Sequence, residues 1–409
     1  MINRKPILFV AFITAVCLIA DSMLYIFMPL YPERFGLDSM WQVGVLLAVN
    51  RFIRLPLSPA IGWLYHTIGK RNGIVIAAAL AILTSLSYAF IDGFLLLFIV
   101  RCLWGISWGI LRLGGFLTVI DCSSFDKKGQ AMGLYNGLWS LGGLLGMLTG
   151  GLVPASHFET AIVIVTVLMV MLLIPAVYYI PSDNAAAPAA DEPQDKGRLP
   201  IWTILMQAGP IRMCVTGFIV AAVFFGVFAS TISKAMAEQL PSGLTLPGII
   251  LTAAAVAGIL QAFRWGVSPL LSPLFGRLSD GKKGRLPWFL FGLAGSGLIL
   301  ALLPAASAAV WLIMLFVLQL TNTLLTTVMD ALASDTAERE QPAAKITVMT
   351  AYTLALDLGS AVGPVVGFAL VDLLSVTTMF SWCGILLLAT ALLWINARSG
   401  SPLRRRMSQ

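Results

Sequence analysis

Long apolar runs separated by short polar turns restrict the fold of this chain more than any other feature of its sequence. A helix needs about 20 mainly apolar residues to cross the hydrocarbon core of a bilayer, and these runs have that length. Hydrophobic residues make up 58% of the chain and charged residues only 11%, whereas soluble domains carry about 25% charged residues. Because this leaves too little polar surface to face water, we predict an all-α membrane protein.

The apolar runs divide into two sets of six predicted transmembrane helices. A stretch rich in Pro, Ala and acidic residues separates the sets, and its composition cannot bury a core, so it predicts a flexible linker. The predicted helices cover residues 7–30, 40–64, 73–91, 94–119, 130–153, 160–180, 211–234, 250–276, 286–304, 308–333, 345–371 and 376–396. The expected domains are a six-helix bundle at 1–180, the linker at 181–210, a second bundle at 211–396 and a basic tail at 397–409.

Lysine and arginine are distributed unevenly between the two sets of loops. With the N-terminus in the cytoplasm, the outer loops hold only Arg34 and Lys234, and the other loop, linker and tail positions that carry Lys or Arg are on the inner side. Cytoplasmic loops carry such an excess of positive charge. We therefore predict a multi-pass protein of a bacterial inner membrane with both termini in the cytoplasm. The net charge of +7 is explained by topology and does not indicate nucleic-acid binding.

One short stretch occurs twice. Residues 57–64 read L-S-P-A-I-G-W-L, and residues 271–278 read L-S-P-L-F-G-R-L, 214 positions later. His66 in the first copy corresponds to Asp280 in the second at the same offset. The repeat predicts two bundles of the same architecture, related by a pseudo-two-fold axis.

The repeated stretch resembles the signature of the major facilitator superfamily of secondary transporters, G-x-x-x-D-R-x-G-R-R, between the second and third helices. The resemblance covers essentially the whole chain and implies that this loop is a gate at the cytoplasmic side. The first copy has a histidine in place of the aspartate, which leaves the ion pair of the first bundle in question. The second copy keeps the aspartate and has one extra residue before its last glycine. The implied gating residues are Gly62, His66, Arg71, Gly276, Asp280 and Arg285.

Two further motifs resemble proton-coupled members of this family. Arg101 and Gly105 match an R-x-x-x-G motif of helix 4, whose arginine is implicated in proton coupling. Asp21 and Tyr25 are similar to an acidic pattern in helix 1 of drug and metabolite exporters. The antiporter motif G-x-x-x-G-P-x-x-G occurs in helix 11, at residues 359–367, and only partly in helix 5. The resemblance therefore implies transport more strongly than export.

A charge within a span costs at least about 2.5–3.5 kcal/mol and persists only with a partner or a function. Helix 1 rises from the cytoplasm and helix 4 descends toward it, so Asp21 and Arg101 both lie in the outer half. The family fold brings these helices together, and we predict a charge-coupled pair that binds and releases the proton. A permanent structural ion pair is the alternative. Asp357 is either a second protonation site or the counter-ion of Arg264.

The predicted spans hold more arginines than carboxylates. A cavity with surplus arginine favours an anionic substrate, because a guanidinium group binds carboxylate or phosphate through two parallel hydrogen bonds. For Arg54, closer to the cytoplasmic end, an extended side chain that reaches the inner interface is an equal alternative. The predicted substrate-binding residues are Tyr25, Asn50, Arg51, Arg54, Trp108, Arg112, Arg264 and Asn322.

We therefore predict a proton-coupled transporter that is not an enzyme and needs neither a cofactor nor a metal. Its expected partners are a small molecule, protons and the lipid bilayer, with no nucleic acid, and it is expected to be a monomer. The favoured mode is export, by H⁺ antiport, of an anionic or amphiphilic compound such as a siderophore-like metabolite or drug. Proton-coupled import or uniport of an organic anion is one alternative. A non-transporting membrane sensor or scaffold with the same fold is another.

Overall fold

The protein is described here by a computed structural model, which covers residues 4–122, 128–180, 207–280, 284–338, 342–371 and 373–399. The described residues form fourteen α-helices, one π-helical segment and one two-stranded hairpin. The first bundle comprises α1 (Arg4–Leu30), α2 (Met40–Phe52), α3 (Arg54–Ile68), α4 (Lys70–Phe90), α5 (Phe94–Cys122), α6 (Lys128–Leu152) and α7 (Phe158–Tyr179). The second comprises α8 (Ala208–Ala221), α9 (Ala229–Gln239), α10 (Ala253–Ser279), α11 (Arg285–Leu302), α12 (Ala308–Glu338), α13 (Pro342–Val371) and α14 (Val376–Ser399).

Ten helical segments among the described residues are long and apolar enough to cross a membrane. Two further spans are the consecutive helices α2 and α3, and the glycine-rich α6, which is 25 residues long. The predicted all-α membrane fold of twelve spans in two bundles is therefore confirmed. Residues 181–206 of the predicted linker (181–210) and residues 400–409 of the predicted tail (397–409) lie outside the described residues. The predicted domain boundaries stay a prediction.

The second span differs from its prediction, because it consists of two helices with a break at Ile53. Pro56 is the third residue of α3, where a helix tolerates the missing N–H of proline. In an unbroken helix the proline ring would clash with the carbonyl of Phe52, four residues earlier, and α2 ends at that residue. The helix then continues past Pro59 and Gly62 to Ile68. The predicted end of this span at residue 64 is therefore four residues too early.

The seventh span also departs from a regular α-helix. Between α8 and α9 the chain forms a π-helical segment, Ala222–Phe228, and the span runs to Gln239 rather than to residue 234. The following loop contains an antiparallel hairpin of β1 (Leu244–Leu246) and β2 (Ile249–Leu251). Part of β2 was included in the eighth predicted helix, 250–276, because a short apolar stretch is equally compatible with a strand and with a helix.

The two bundles meet closely at one end of the molecule. The backbone of α6 at Gly151 lies against Ala254 and Gly258 of α10, and Gly44 of α2 lies against Pro364 of α13. Small residues allow helix backbones to approach in this way. We call this the closed end. Toward the opposite end of α6, which we call the open end, a Cβ on Gly137 would meet no atom within 4 Å.

Candidate functional site

Asp21 of α1 and Arg101 of α5 form a buried ion pair. Arg101 has no exposed surface and Asp21 is 7% exposed. The guanidinium group also donates hydrogen bonds to the backbone carbonyl of Leu46 in α2, at 2.8 Å, and to the hydroxyl of Tyr88 in α4, at 3.4 Å. A buried charge requires such partners, because otherwise its lost hydration is not compensated. The pair predicted from the sequence therefore joins four helices of the first bundle.

Arg51 of α2 crosses from the first bundle to the second. It donates hydrogen bonds to the backbone carbonyl of Phe225 in the π-helical segment, at 2.7 Å, and to that of Ser360 in α13. Its guanidinium carbon lies 5.6 Å from the ring centre of Tyr25, and the Tyr25 hydroxyl donates to the carbonyl of Leu47. Arg51 and Tyr25, both predicted to bind substrate, are thus in contact next to the line where the bundles meet.

Arg54 and Asp357 form an ion pair between the bundles, with 3.7 Å between nitrogen and oxygen. The Asp357 side chain is 48% exposed and that of Arg54 is 16% exposed. The pairing of Asp357 with Arg264 that was considered from the sequence is wrong. Arg264 instead lies against the rings of Phe225 and Trp265. Arg54 also interacts electrostatically with Arg51 and Arg112.

Arg264 of α10 lies among aromatic rings. Its guanidinium carbon is 4.9 Å from the ring centre of Phe225 and 5.2 Å from that of Trp265. Such cation–π contacts stabilise a positive charge without neutralising it. Arg264 also interacts electrostatically with Arg51, so positive charges from both bundles act on the same part of the cavity.

A row of tryptophan rings joins the two bundles near these arginines. Trp139 of α6 lies 5.6 Å from Trp108 of α5 and 5.8 Å from Trp265 of α10, measured between ring centres. The exposed Arg112 has its guanidinium carbon 5.6 Å from the ring centre of Trp139. The cavity therefore combines a flat apolar wall with cationic groups. Trp108 was predicted from the sequence, whereas Trp139 and Trp265 were not.

Positive charge exceeds negative charge among these residues. Among the described residues, Arg51, Arg112 and Arg264 form no ion pair with a carboxylate, whereas Arg54 is 3.7 Å from Asp357. Asp21 is already paired with Arg101. Toward the open end, Asp330 accepts a hydrogen bond from the Tyr352 hydroxyl at 2.6 Å. The arrangement can bind an anion through charge-assisted hydrogen bonds.

Two predicted amide residues are buried. Asn50 of α2 is 7% exposed and Asn322 of α12 is 2% exposed. The side-chain oxygen of each has no hydrogen-bond partner among the described residues. Asn50 and Arg264 occupy equivalent positions at the offset of 214 residues, so the two bundles place different polar groups at one level of the fold.

The second copy of the repeated loop forms an ion network at the open end. Arg285 donates to Asp280 at 2.9 Å and to Asp335 of α12 at 2.5 Å. It also donates to the backbone carbonyl of Ala331 at 2.9 Å. Gly276 lies within α10, where a Cβ would meet no atom within 4 Å. The charges expected from the sequence thus tie the α10–α11 turn to the end of α12.

The first copy uses different residues for the same purpose. Lys70 at the start of α4 pairs with Asp121 at the end of α5, with 2.5 Å between nitrogen and oxygen. Arg71 lies in the first turn of α4, and Gly62 lies within α3. The His66 side chain lies outside the described residues. The sequence did hold a signal for Asp121, since adding the offset of 214 leads to Asp335.

Comparisons with known proteins fit this architecture. The family model described as Major Facilitator Superfamily matches residues 1–147, 92–268 and 266–407. No curated protein matches the chain. A solved POT family transporter in complex with a thioalcohol-conjugated peptide superposes with a TM-score of 0.74 at 14% identity, over 95% of this chain and 94% of that chain.

Two other solved structures are similar. A peptide transporter POT variant in complex with alafosfalin has a TM-score of 0.76 at 16% identity, over 96% of this chain and 94% of that one. A bacterial homologue of the human lysosomal transporter Spinster, in an inward-facing and unoccupied conformation, has a TM-score of 0.72 at 13% identity, over 96% and 95%. At such identities the likeness shows a shared fold.

Proposed function

Because this chain belongs to the major facilitator superfamily, whose family model matches nearly its whole length, we propose that it is a proton-coupled exporter of a small organic anion. It would sit in a bacterial inner membrane with both termini in the cytoplasm. The two bundles would rock around a site near the bilayer midplane and expose it to each side in turn. In this orientation the cavity faces the cytoplasm, from which an exported substrate enters.

The observation that carries the substrate class is the surplus of arginine in the cavity. Arg51, Arg112 and Arg264 form no ion pair among the described residues, and Asp357 is half-exposed beside Arg54. In a site of low dielectric constant, a guanidinium group binds most strongly to a carboxylate or phosphate that lies in its own plane and accepts two parallel hydrogen bonds. The row of tryptophans next to them supplies an apolar surface for the body of the molecule. An amphiphilic organic anion can pair with the arginines and pack against the tryptophans.

The proton-coupling role falls to the pair of Asp21 and Arg101. Protonation of Asp21 removes the charge that faces the Arg101 guanidinium, so the same contact loses most of its electrostatic attraction. The hydrogen bonds of Arg101 to Leu46 and Tyr88 would transmit the change to α2 and α4. Since α2 also carries Arg51 to the second bundle, protonation and contact between the bundles would be linked through one helix.

Asp357 would be a second residue that couples substrate binding to the contact between the bundles. Its ion pair with Arg54 joins the two bundles across the cavity. An incoming anion would compete with the Asp357 carboxylate for Arg54, so binding of the anion would weaken this contact between the bundles.

Proteoliposomes with an internal pH indicator test the proposal. A panel of organic anions and cations is added, and substrate-induced proton movement is recorded with and without an imposed pH gradient. We expect anions to move protons in the opposite direction to themselves, and Arg264→Gln to weaken anion uptake at least about tenfold. Arg34→Gln, whose residue pairs with Glu159 away from the cavity, is the matched control. Transport of cations alone would refute the substrate class, and transport without proton movement would refute the coupling.

A further inference from the structure

One face of α12 runs along the cavity from its closed end toward its open end. Gln319, Asn322, Thr326 and Asp330 follow one another at i, i+3, i+7 and i+11 and therefore share a side of the helix. Gln319 is 1% and Asn322 is 2% exposed, Thr326 is half-buried and Asp330 is exposed. The exposure rises steadily along this face, so the two amide residues are the most deeply buried of the four.

The amide groups of these two residues are not used by the fold. Neither Nε2 nor Oε1 of Gln319, nor Oδ1 of Asn322, has a hydrogen-bond partner among the described residues. The neighbouring hydroxyls of Thr323 and Thr326 donate to the backbone carbonyls of Gln319 and Asn322, each at 2.9 Å, and leave the side-chain amides unpaired. Buried polar groups without partners are rare, because their lost hydration is not compensated. A ligand that pairs with them would account for their presence.

Contacts between α10 and α12 show that the amides lie near the level of Arg264 along the helix axes. The rings of Phe263 and Phe316 are 5.1 Å apart, and the Thr327 hydroxyl donates to Ser272 at 3.0 Å, so the helices run side by side in the same direction. With a rise of 1.5 Å per residue, these two contacts put Gln319 about 0–3 Å and Asn322 about 5–8 Å beyond the level of Arg264. The arginine and both amides therefore lie within about two helical turns along the axis.

The equivalent positions in the first bundle carry no amides. At the offset of 214 residues, Gln319 corresponds to Gly105 and Asn322 to Trp108. A Cβ on Gly105 would collide with the carbonyl of Asn50, and Trp108 packs against Trp139. These positions serve close helix packing in one bundle, so the architecture itself does not require polar groups there.

We propose that Gln319 and Asn322 form an amide subsite that binds an uncharged group of the transported anion, one that both donates and accepts hydrogen bonds. This inference rests on the proposed function, since Arg264 holds the anionic end. Arginine is only a donor, whereas a carboxamide offers both a donor and an acceptor and matches a secondary amide. The substrate class is therefore a carboxylate that carries an amide within a few bonds, as an N-acylated amino acid does.

Binding of matched aryl carboxylates to the purified protein tests this inference. Hippurate has a secondary amide between its ring and its carboxylate, and 4-phenylbutyrate has methylene groups in the same places. We expect the wild-type protein to bind hippurate at least about tenfold more tightly, because a site built for hydrogen bonding rejects a ligand that leaves it unpaired. Gln319→Met and Asn322→Leu should remove this preference, with 4-phenylbutyrate binding unchanged within about twofold.

Thermal unfolding of the unliganded variants separates binding from structure. Because the amides are unpaired, Gln319→Met and Asn322→Leu should leave the melting temperature equal or higher. The control Thr323→Val should leave hippurate binding intact. A lower melting temperature would show that the amides are paired in the fold, and would overturn the inference. Equal binding of both anions to wild-type protein would also overturn it while sparing the proposed function. If neither anion bound, or if binding were insensitive to Arg264→Gln, the result would count against the anionic cavity itself.

Discussion

Arg51 of the first bundle donates a hydrogen bond to the backbone carbonyl of Phe225 in the second, with 2.7 Å between nitrogen and oxygen. A second bond goes to the carbonyl of Ser360. Phe225 lies in a π-helical segment, and such segments, which depart from the usual pattern of backbone hydrogen bonds, occur frequently at functional sites. The two charge-assisted bonds join α2 to the π-helical segment and to α13 of the second bundle.

Replacing Arg51 with Met should therefore favour the conformation that is open at the presently closed end. Hydrogen bonds to charged groups contribute about 1.5–3 kcal/mol each, so losing two should shift the equilibrium between conformations by about a hundredfold or more. Spin labels at Asp38→Cys and Leu373→Cys, exposed positions of the two bundles, would report a longer distance in the variant. Arg112→Met removes a cavity arginine that makes no hydrogen bond between bundles and is the control. An unchanged distance distribution would contradict this role for Arg51.

Asp21→Asn should abolish proton-driven transport while substrate exchange at equal pH continues. The asparagine keeps an acceptor for Arg101 but cannot gain or lose a proton. Removing one charge of a buried pair costs about 3–5 kcal/mol when the other is left unpaired, and the hydrogen bonds of Arg101 to Leu46 and Tyr88 should reduce this loss. Uphill transport and exchange are measured in the same proteoliposomes, with Asp38→Asn, an exposed position, as the control. Full retention of uphill transport would show that the Asp21–Arg101 pair has only a structural role.

The ion pairs at the open end should affect transport rate more than stability. Arg285 and Asp335 are 27% and 38% exposed, and exposed pairs contribute about 0–1 kcal/mol. Arg285→Asp should slow transport, because Asp280 and Asp335 then face a third negative charge. Combining it with Asp335→Arg should restore part of the rate, whereas the unrelated exchange of Arg34 with Glu159 should not. If the double variant transported slowly but had the melting temperature of the wild type, transport would require the orientation of the ion pair and not only its charges.

The sequence predicted the fold and much of the polar interior, for physical reasons that are easy to identify. A span needs length and apolarity, and both can be counted residue by residue. The contact of Asp21 with Arg101 followed from matching their depths in adjacent helices. The break at Ile53 could have been found as well, since Pro56 forbids an unbroken helix through Phe52.

Other parts of the site depend on packing that the sequence does not encode locally. Asp357 pairs with Arg54 of the opposite bundle, a contact between residues 303 positions apart that no local pattern marks. The carbonyl partners of Arg51 are backbone atoms, which every residue possesses, so nothing marks Phe225 or Ser360 in advance. The amino-acid composition of the π-helical segment does not distinguish it from a regular α-helix. The unpaired state of Gln319 is likewise visible only when all neighbouring groups are placed.

A methyl group on Gly151 should prevent the closed end from closing. A Cβ there would lie 2.5 Å from the carbonyl oxygen of Ala254 and 2.9 Å from the Cα of Gly258, and backbone atoms cannot move aside as a side chain can. Gly151→Ala should therefore lengthen the distance between labels at Asp38→Cys and Leu373→Cys and slow transport. Gly137→Ala on the same helix meets no atom within 4 Å and should be neutral or stabilising by up to about 1 kcal/mol, since alanine favours helix. If both alanines behaved alike, helix propensity rather than contact between the bundles would determine the effect.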